Sequence, residues 1–589
     1  MISLTSPTSE NSSFSIRARL AGTRSLAAWM FGWTSLTLSG AATAQTAGPH
    51  PYRPGVDVVD YAVTLDLPDR GASIDGRAML SIRRSAPLDT LVLDLVSMRV
   101  DSVLVNGQPV PFVRTDSVIR IPTTRVSGDS FSVTVRYAGE PKDGLIIRTD
   151  SLGRWTGFGD NWPNRARNWI PSIDHPSDKA TVTWTVRAPS DRKVVANGEL
   201  MEETPLAPRA GGAPRTLTRW RESRPISPYL MVIAAAPLVY YDLGRERCGP
   251  GEFDACVRQS VYVAPEVRDY LPGPFSHAAP IVRLFSELVA PFPYEKLAHL
   301  QSSTRYGGME NAGAIFYADA LFRRRTMRTG LIAHETAHQW FGDAVTEREW
   351  SHVWLSEGFA TYFAELYVER TDGDSAFRAS MRGIRERVIK APEVASRPVI
   401  DTLQTDLMEL LNTNSYQKGG WTLHMLRALV GDSAFFRGIR SYYLANRHST
   451  ALSDDLRRAV ENSSGRSLGW FFDQWLRRPG FAEVTTSWRY DAAQRRVVAT
   501  IAQGGRFGAY RFPLTVAVTD GSGRERRVTI DVPASASATI GVPLELDGAP
   551  RAVAFDPDVR VLATFTARSA ASIERSETPN FVTSFAARR

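Results

Sequence analysis

Cysteine is scarce in this 589-residue chain, which holds only Cys248 and Cys256. Two thiols exclude a disulfide scaffold and a multi-cysteine zinc site, and leave sulfur for one bridge. No stretch beyond the first 44 residues is apolar over the about 20 positions needed to span a bilayer, so no stable membrane-spanning helix is expected. Internal repeats and low-complexity tracts are lacking, which excludes solenoids and fibrous arrays. Runs of like charge are lacking too, beyond Arg323-Arg-Arg325. The excess of 70 Lys+Arg over 62 Asp+Glu gives +8, but the charges are interleaved as on a solvated surface, so no nucleic-acid partner is expected. What is present, 43% apolar and 22% charged residues, is the composition of folded globular protein, and the length calls for two to four domains.

The N-terminus carries Arg17, Arg19 and Arg24, then a mostly apolar stretch over 26–38, then Ala42-Thr43-Ala44. A basic region, a short apolar run and an A-x-A site read as a secretory signal peptide over 1–44. Its removal leaves about +6 and implies an exported protein, periplasmic or secreted, with a retained membrane anchor as the lesser reading. An oxidising compartment fits a disulfide between Cys248 and Cys256.

From 45 to 245 the pattern alternates as short strands, such as 130–137 and 180–186, with Asn106-Gly107 and Asn197-Gly198 at hairpin positions. An all-β domain is expected there. A second domain is expected over 246–478, where the period becomes helical from about Pro265, with runs at 281–288, 329–341 and 353–369. Alternation resumes in 495–501 and 514–518, with Asp520-Gly-Ser-Gly523 as a turn, and a small β-sandwich is expected over 479–567. Residues 568–589 are polar and patternless, as in a disordered tail. The fold class is therefore multidomain α+β.

Chemistry concentrates in His334-Glu335-Thr336-Ala337-His338. Residues four apart on a helix lie about 40° apart around its axis, so both imidazoles can reach one metal ion. Glu335 falls off that line, where its carboxylate can take the proton of an attacking water. Hydrolytic zinc usually has three protein ligands. After eighteen intervening residues comes Glu357, at the start of a second helical run, and an antiparallel return through Gly342-Asp343 would bring it beside the imidazoles.

The chain resembles the gluzincin aminopeptidases of the aminopeptidase N and leukotriene hydrolase type. Tyr306-Gly-Gly-Met-Glu-Asn311 is similar to the family's G-x-M-E-N exopeptidase loop, and Ser415-Tyr-Gln-Lys-Gly419 to its catalytic-tyrosine segment. Pro171-Ser-Ile-Asp174 with Pro176 and Lys179-Ala180 resembles an N-terminal block; Phe471-Phe-Asp-Gln-Trp475 and Pro479-Gly-Phe481 resemble the close of the catalytic domain. The resemblance implies a saddle-like β domain, a thermolysin-like catalytic domain and one Zn2+ on His334, His338 and Glu357. It implies Glu335 as base, Tyr416 as donor to the oxyanion, and Glu310 as partner of a substrate's free α-ammonium. Gly307, Gly308, Met309 and Asn311 would lie along the substrate backbone. The large helical domain of longer relatives is not expected.

One departure stands out. Where the family places an amine-binding Glu or Gln in its N-terminal domain, counting back from Ala166-Arg167 gives Trp162. Either Asp160 or Asn161 has shifted into that role, or Glu310 acts alone. Ser172 and Asp343 replace a common cysteine and asparagine without touching the zinc chemistry. Glu365 is a candidate to support a ligating histidine, and His352 reads as structural. Gly465-Arg-Ser-Leu-Gly469 matches a serine-hydrolase elbow, but a helical run precedes it, so Gly465 reads as a C-cap and Ser467 as the next N-cap.

The expected function is a zinc aminopeptidase that removes single residues from peptides with a free N-terminus. The alternatives are an epoxide hydrolase of the leukotriene hydrolase kind and an inactive binding or scaffold protein.

Overall fold

The computed structural model describes residues 53, 55–207, 212–245 and 257–567. The signal sequence, Cys248, Cys256 and the 568–589 tail lie outside them.

The N-terminal part is built on an eight-stranded sheet. Its centre is Val56–Asp66 (β1), Ile74–Arg84 (β2), Ser130–Gly139 (β3), Ala180–Pro189 (β4) and Arg215–Ile226 (β5), in the order β5-β4-β1-β2-β3. All these neighbours run antiparallel except β1 and β4. β4 buries every second side chain, Val182, Trp184 and Val186 among them, so one face is core and the other is half covered. Three-stranded and four-stranded sheets complete this region. Asn106-Gly107 forms the expected tight turn, both residues having positive φ. Asn197-Gly198 does not: the strands on either side, Lys193–Ala196 and Glu199–Leu206, lie in different sheets. The Asn197 side chain is used instead as a clamp, donating to Leu230 O (2.8 Å) and Ala312 O (2.9 Å) and accepting from Val232 N (2.7 Å).

The central part holds a sheet that helical periodicity concealed. Val239–Arg245 (β6), Arg258–Val263 (β7), Lys296–Ser302 (β8), Gly308–Met309 (β9) and Ala314–Ala318 (β10) pair in the order β6-β7-β8-β10-β9. β7 to β10 are short and mostly buried, so they show no alternation, whereas β6 alternates half-buried and exposed residues. The exopeptidase-like loop thereby becomes an edge strand, β9.

Against the sheet pack Ala278–Leu288 (α1) and Thr329–His338 (α2), followed by strand Val345–Glu347 (β11), Trp354–Lys390 (α3) and Gly419–Val430 (α4). In α1, Ile281, Val282, Leu284 and Phe285 form the buried stripe. α3 is broken at Gly373, whose φ of 82° is not helical. Stacked Phe341 and Phe359 (4.2 Å between rings), with Phe363 and Tyr442, fill the space behind α2.

After Phe481 the chain forms two more sheets of four and three strands, with the expected hairpin at Asp520–Gly523. They are tied to α3 and α4 by Arg385–Asp556 (2.8 Å) and by His424 Nε2 to Val559 O (2.9 Å). Gly465 is a left-handed C-cap, as expected, but the next helix is capped at Leu468 rather than Ser467.

Candidate metal centre

α2 is buried throughout its last two turns, because Leu331, Ile332, Ala333 and Ala337 fill the space between sheet and α3. Its i, i+4 geometry sets His334 Nε2 and His338 Nε2 3.1 Å apart. Glu357, in the first turn of α3, places Oε2 3.3 Å from each of them. Zinc bonds of about 2.0–2.1 Å in tetrahedral geometry put neighbouring ligand atoms about 3.3–3.4 Å apart, so the donor set fits zinc. The charge balance points the same way, since Glu310, Glu335 and Glu357 are all buried with these imidazoles.

A ligating imidazole needs its far nitrogen fixed. His338 Nδ1 is bonded to Ser356 Oγ at 2.9 Å, one residue before Glu357, with Phe341 O at 3.2 Å. The turn between the two helices passes so close that a Cβ on Gly342 (φ 118°) would stand 2.3 Å from Ser356 Oγ. Only glycine allows that turn and that bond together. Glu365 makes no such contact: its partner is Ser380. His352 is structural as read, with Nδ1 2.8 Å from Ser453 Oγ.

Burial pushes His334 down to about 3. For His338 burial also lowers the pKa, but the carboxyls of Glu357 and Glu310 outweigh it and lift the group to about 9. Despite burial, Glu357 is held well below the usual range, with the charge of His338 and its bonds to both imidazoles among the contributions that lower it. Glu335 is pushed up to about 7, first by burial and then by the neighbouring acids Glu310 and Glu357, the range of a base that works near neutrality. Its carboxyl lies directly over β9, where a Cβ on Gly308 would meet Oε1 at 2.2 Å. Gly308 thus makes room for Glu335 as well as for anything lying along the strand.

Tyr416 sits on a π-helical turn, Asn414–Lys418, that feeds α4. Its hydroxyl donates to Glu357 Oε1 at 2.9 Å, and its ring stacks on His334 at 5.9 Å. Glu310 follows β9 and is 1% exposed. Its carbonyl accepts from Gln339 Nε2 (2.7 Å), and Gln339 Oε1 accepts from Gly313 N (2.8 Å), so the residue after the second histidine fixes the loop to the zinc helix. Met309 and Asn311 are fully buried beside Glu310, and Gly307 O accepts from Ala318 N at 3.1 Å.

The two substitutes considered for the missing amine anchor are engaged elsewhere. Asp160 pairs with Arg165 (2.8 Å) and faces Arg305 (3.6 Å). Asn161 donates to Met231 O (2.6 Å) and accepts from Trp169 Nε1 (2.8 Å). Trp162 is buried edge-to-face against Tyr306 (6.3 Å) and Trp350 (5.4 Å).

Sequence reasoning read Gly342 as the turn between the helices and Lys179 as part of the N-terminal block without giving either a contact, and it missed Ser356 and Gln339. The Lys179 ammonium crosses from the β domain to cap the turn after α2, donating to Asp343 O (2.7 Å), Ala344 O (3.0 Å), Thr346 Oγ1 (3.0 Å) and Ser449 O (3.2 Å). Gln339 and Gly342 adjoin the metal motif, which is the one signal that could have found them.

Two imidazoles and a carboxylate around one point, with a raised carboxyl on the same helix and a strand edge alongside, define a metallopeptidase-type centre on an α+β scaffold. Residues 58–230 match the Peptidase M1 N-terminal domain and 277–475 the Peptidase family M1 domain. The chain belongs to peptidase family M1. Curated relatives include a probable aminopeptidase 2 of Sulfurisphaera tokodaii, 24% identical over 494 residues that make up 79% of this chain and 59% of the relative. A leucyl aminopeptidase of Saccharolobus solfataricus is 24% identical over 73% of this chain and 55% of its own length. The chain therefore spans little more than half of these relatives. Among solved structures, an M1 zinc metallopeptidase from Deinococcus radiodurans superimposes with a TM-score of 0.63 at 27% identity, covering 72% of this chain and 94% of that one. A mutant of that enzyme bound to a Tyr-Ser-Ala substrate gives 0.64 at 26% identity, covering 73% and 97%.

Proposed function

We propose that the chain is a zinc-dependent aminopeptidase holding one Zn2+ on His334, His338 and Glu357 and hydrolysing the first peptide bond of peptides with a free N-terminus. The observation that carries this reading is the near-equilateral set of donor atoms at 3.1–3.3 Å with Glu310 buried beside it. When bound, zinc would polarise the scissile carbonyl and acidify a water. Glu335 accepts the proton of the attacking water and passes it to the leaving amine. The Tyr416 hydroxyl, now on Glu357, would donate to the oxyanion as it develops on the substrate. Glu310 pairs with the α-ammonium, a cation that an internal or acetylated peptide lacks. Edge strand β9 receives the peptide in extended form.

Purified protein is expected to release chromophore from aminoacyl anilides, to stop on chelation and to recover with zinc. Hydrolysis that survives chelation contradicts the metal; a zinc-loaded but inert wild type favours a scaffold; epoxide opening without anilide hydrolysis favours the lipid reading. Export with removal of residues 1–44 and a Cys248–Cys256 bridge belong to the same proposal, supported by the basic, apolar and A-x-A order of the leader. Among the described residues no helix is long and apolar enough to cross a membrane. N-terminal sequencing and a thiol count of the mature protein check both.

A further inference from the structure

Glycine inside a helix is a loss against alanine, so a helical glycine calls for a reason other than the helix. Gly358 in α3 and Gly419 and Gly420 at the start of α4 are buried, and none has positive φ, so no backbone angle requires them. The reason is space. A Cβ on Gly358 would stand 2.9 Å from Gly419 C, 3.0 Å from Gly419 Cα and 3.2 Å from Gly420 N. From the other side, a Cβ on Gly419 would stand 3.1 Å from Gly358 Cα. All of these are main-chain atoms, which cannot swing aside as the end of a side chain does. Carbon atoms in contact rest about 3.5–4.0 Å apart, so alanine at either position drives the two helices apart by about half an ångström.

The place of this contact in the chain ties it to the chemistry. Gly358 directly follows Glu357, and Gly419 directly follows the π-helical turn that carries Tyr416. The Tyr416 hydroxyl donates to Glu357 Oε1 at 2.9 Å, while Oε2 of the same carboxyl lies 3.3 Å from both imidazole Nε2 atoms. The two backbones therefore touch one residue after the metal-side carboxylate and three residues after the phenol. The turn is also held from behind. Asn414 Nδ2 donates to Glu393 O (3.1 Å) and Arg397 O (3.2 Å), and Lys418 Nζ donates to Arg478 O (3.1 Å). With its back fixed in this way, the turn rests its front on the contact between Gly358 and Gly419.

We propose that Gly358 and Gly419 are positioning residues for Tyr416: their main-chain contact sets the reach of the phenol at the metal site, and with it the donor to the oxyanion. The inference rests on the aminopeptidase reading, in which Tyr416 is that donor. A shift of half an ångström matters there, because a hydrogen bond weakens steeply as its length and angle depart from their best values and this one acts on charge that exists only during reaction.

The test uses the zinc-loaded full chain with Gly419→Ala, Gly358→Ala and Tyr416→Phe, alone and combined. Each alanine should lower kcat on aminoacyl anilides by about tenfold, Gly358→Ala more than Gly419→Ala, and leave KM within about twofold. Calorimetry with a phosphinic pseudopeptide, whose tetrahedral anion stands in for the oxyanion, should show the same loss of about tenfold without turnover. Zinc affinity, measured by competition with a chromophoric chelator, should not change. Added to Tyr416→Phe, either alanine should cost less than about twofold more, since the donor it displaces is already gone. Unchanged kcat in both alanine variants overturns the inference, as do losses that persist at full size on Tyr416→Phe. Loss of zinc or of the fold overturns it too, because the contact then serves the scaffold and not the tyrosine. If Tyr416→Phe itself keeps its kcat and its affinity for the pseudopeptide, the tyrosine's part in the aminopeptidase reading fails, whereas a damaged Tyr416→Phe beside indifferent alanines sinks this inference alone.

Discussion

The far side of the His338 ring decides how well the near side can bind a metal. Ser356 fixes Nδ1, and Gly342 is what lets Ser356 reach it. Gly342→Ala, with its Cβ against Ser356 Oγ, is expected to weaken zinc binding by about tenfold to a hundredfold, and Ser356→Ala to do so by about tenfold. Competition with a chromophoric chelator measures both. Glu335→Gln should retain zinc and lose about three orders of magnitude in kcat, because only the proton acceptor is removed. Tyr416→Phe should lower kcat by about a hundredfold with little change in KM, since its donor acts on charge that develops during reaction. Steady-state kinetics with metal analysis separates these outcomes from loss of the metal. His334, Glu335, His338 and Glu357 were legible in the sequence because a helix converts a spacing of four directly into shared direction. Ser356 was not, and Gly342 was read only as the turn, since their importance comes from one contact between that turn and the start of a later helix.

At the scale of elements, the exopeptidase-like segment gains its meaning from the sheet. Periodicity read the central region as helical and missed β7 to β10, whose buried strands carry no polar alternation. With the sheet in place, β9 becomes an edge onto which a peptide can add, with Glu335 above it and Glu310 after it. Crossing contacts hold that edge: Asn197 on Ala312 O, Gln339 on Glu310 O, and Lys179 on the turn after α2. None could be read from local pattern, since Asn197-Gly198 looks like any hairpin until its two strands are found in separate sheets. Lys179→Met should cost about 1–3 kcal/mol, because it strands the buried Ala344 carbonyl and leaves Asp343 O with Thr346 Oγ1 alone. Denaturant unfolding of the purified variant checks the figure, and a loss under about 0.5 kcal/mol would show the tie to be dispensable.

At the scale of the whole molecule, the β domain and the α-rich domain meet around a group of buried carboxyls, Glu310, Glu335 and Glu357, set about the two imidazoles. A metal ion and a substrate ammonium are the cations this arrangement calls for, while the two sheets after Phe481 brace α3 and α4 from outside the site. Stripping zinc should therefore lower Tm by at least about 5 °C, restored on adding zinc. The division into a β region, a helix-rich region and a final β region was legible because patterning changes along the chain, even where individual strands were misassigned. The measurement that bears most directly on the whole account is a mass-spectrometric time course on a hexapeptide and its N-acetylated twin. Products shortened one residue at a time from the free N-terminus, an intact acetylated peptide and arrest by a chelator are the expected result. Cleavage at internal bonds, or equal breakdown of both peptides, would contradict it.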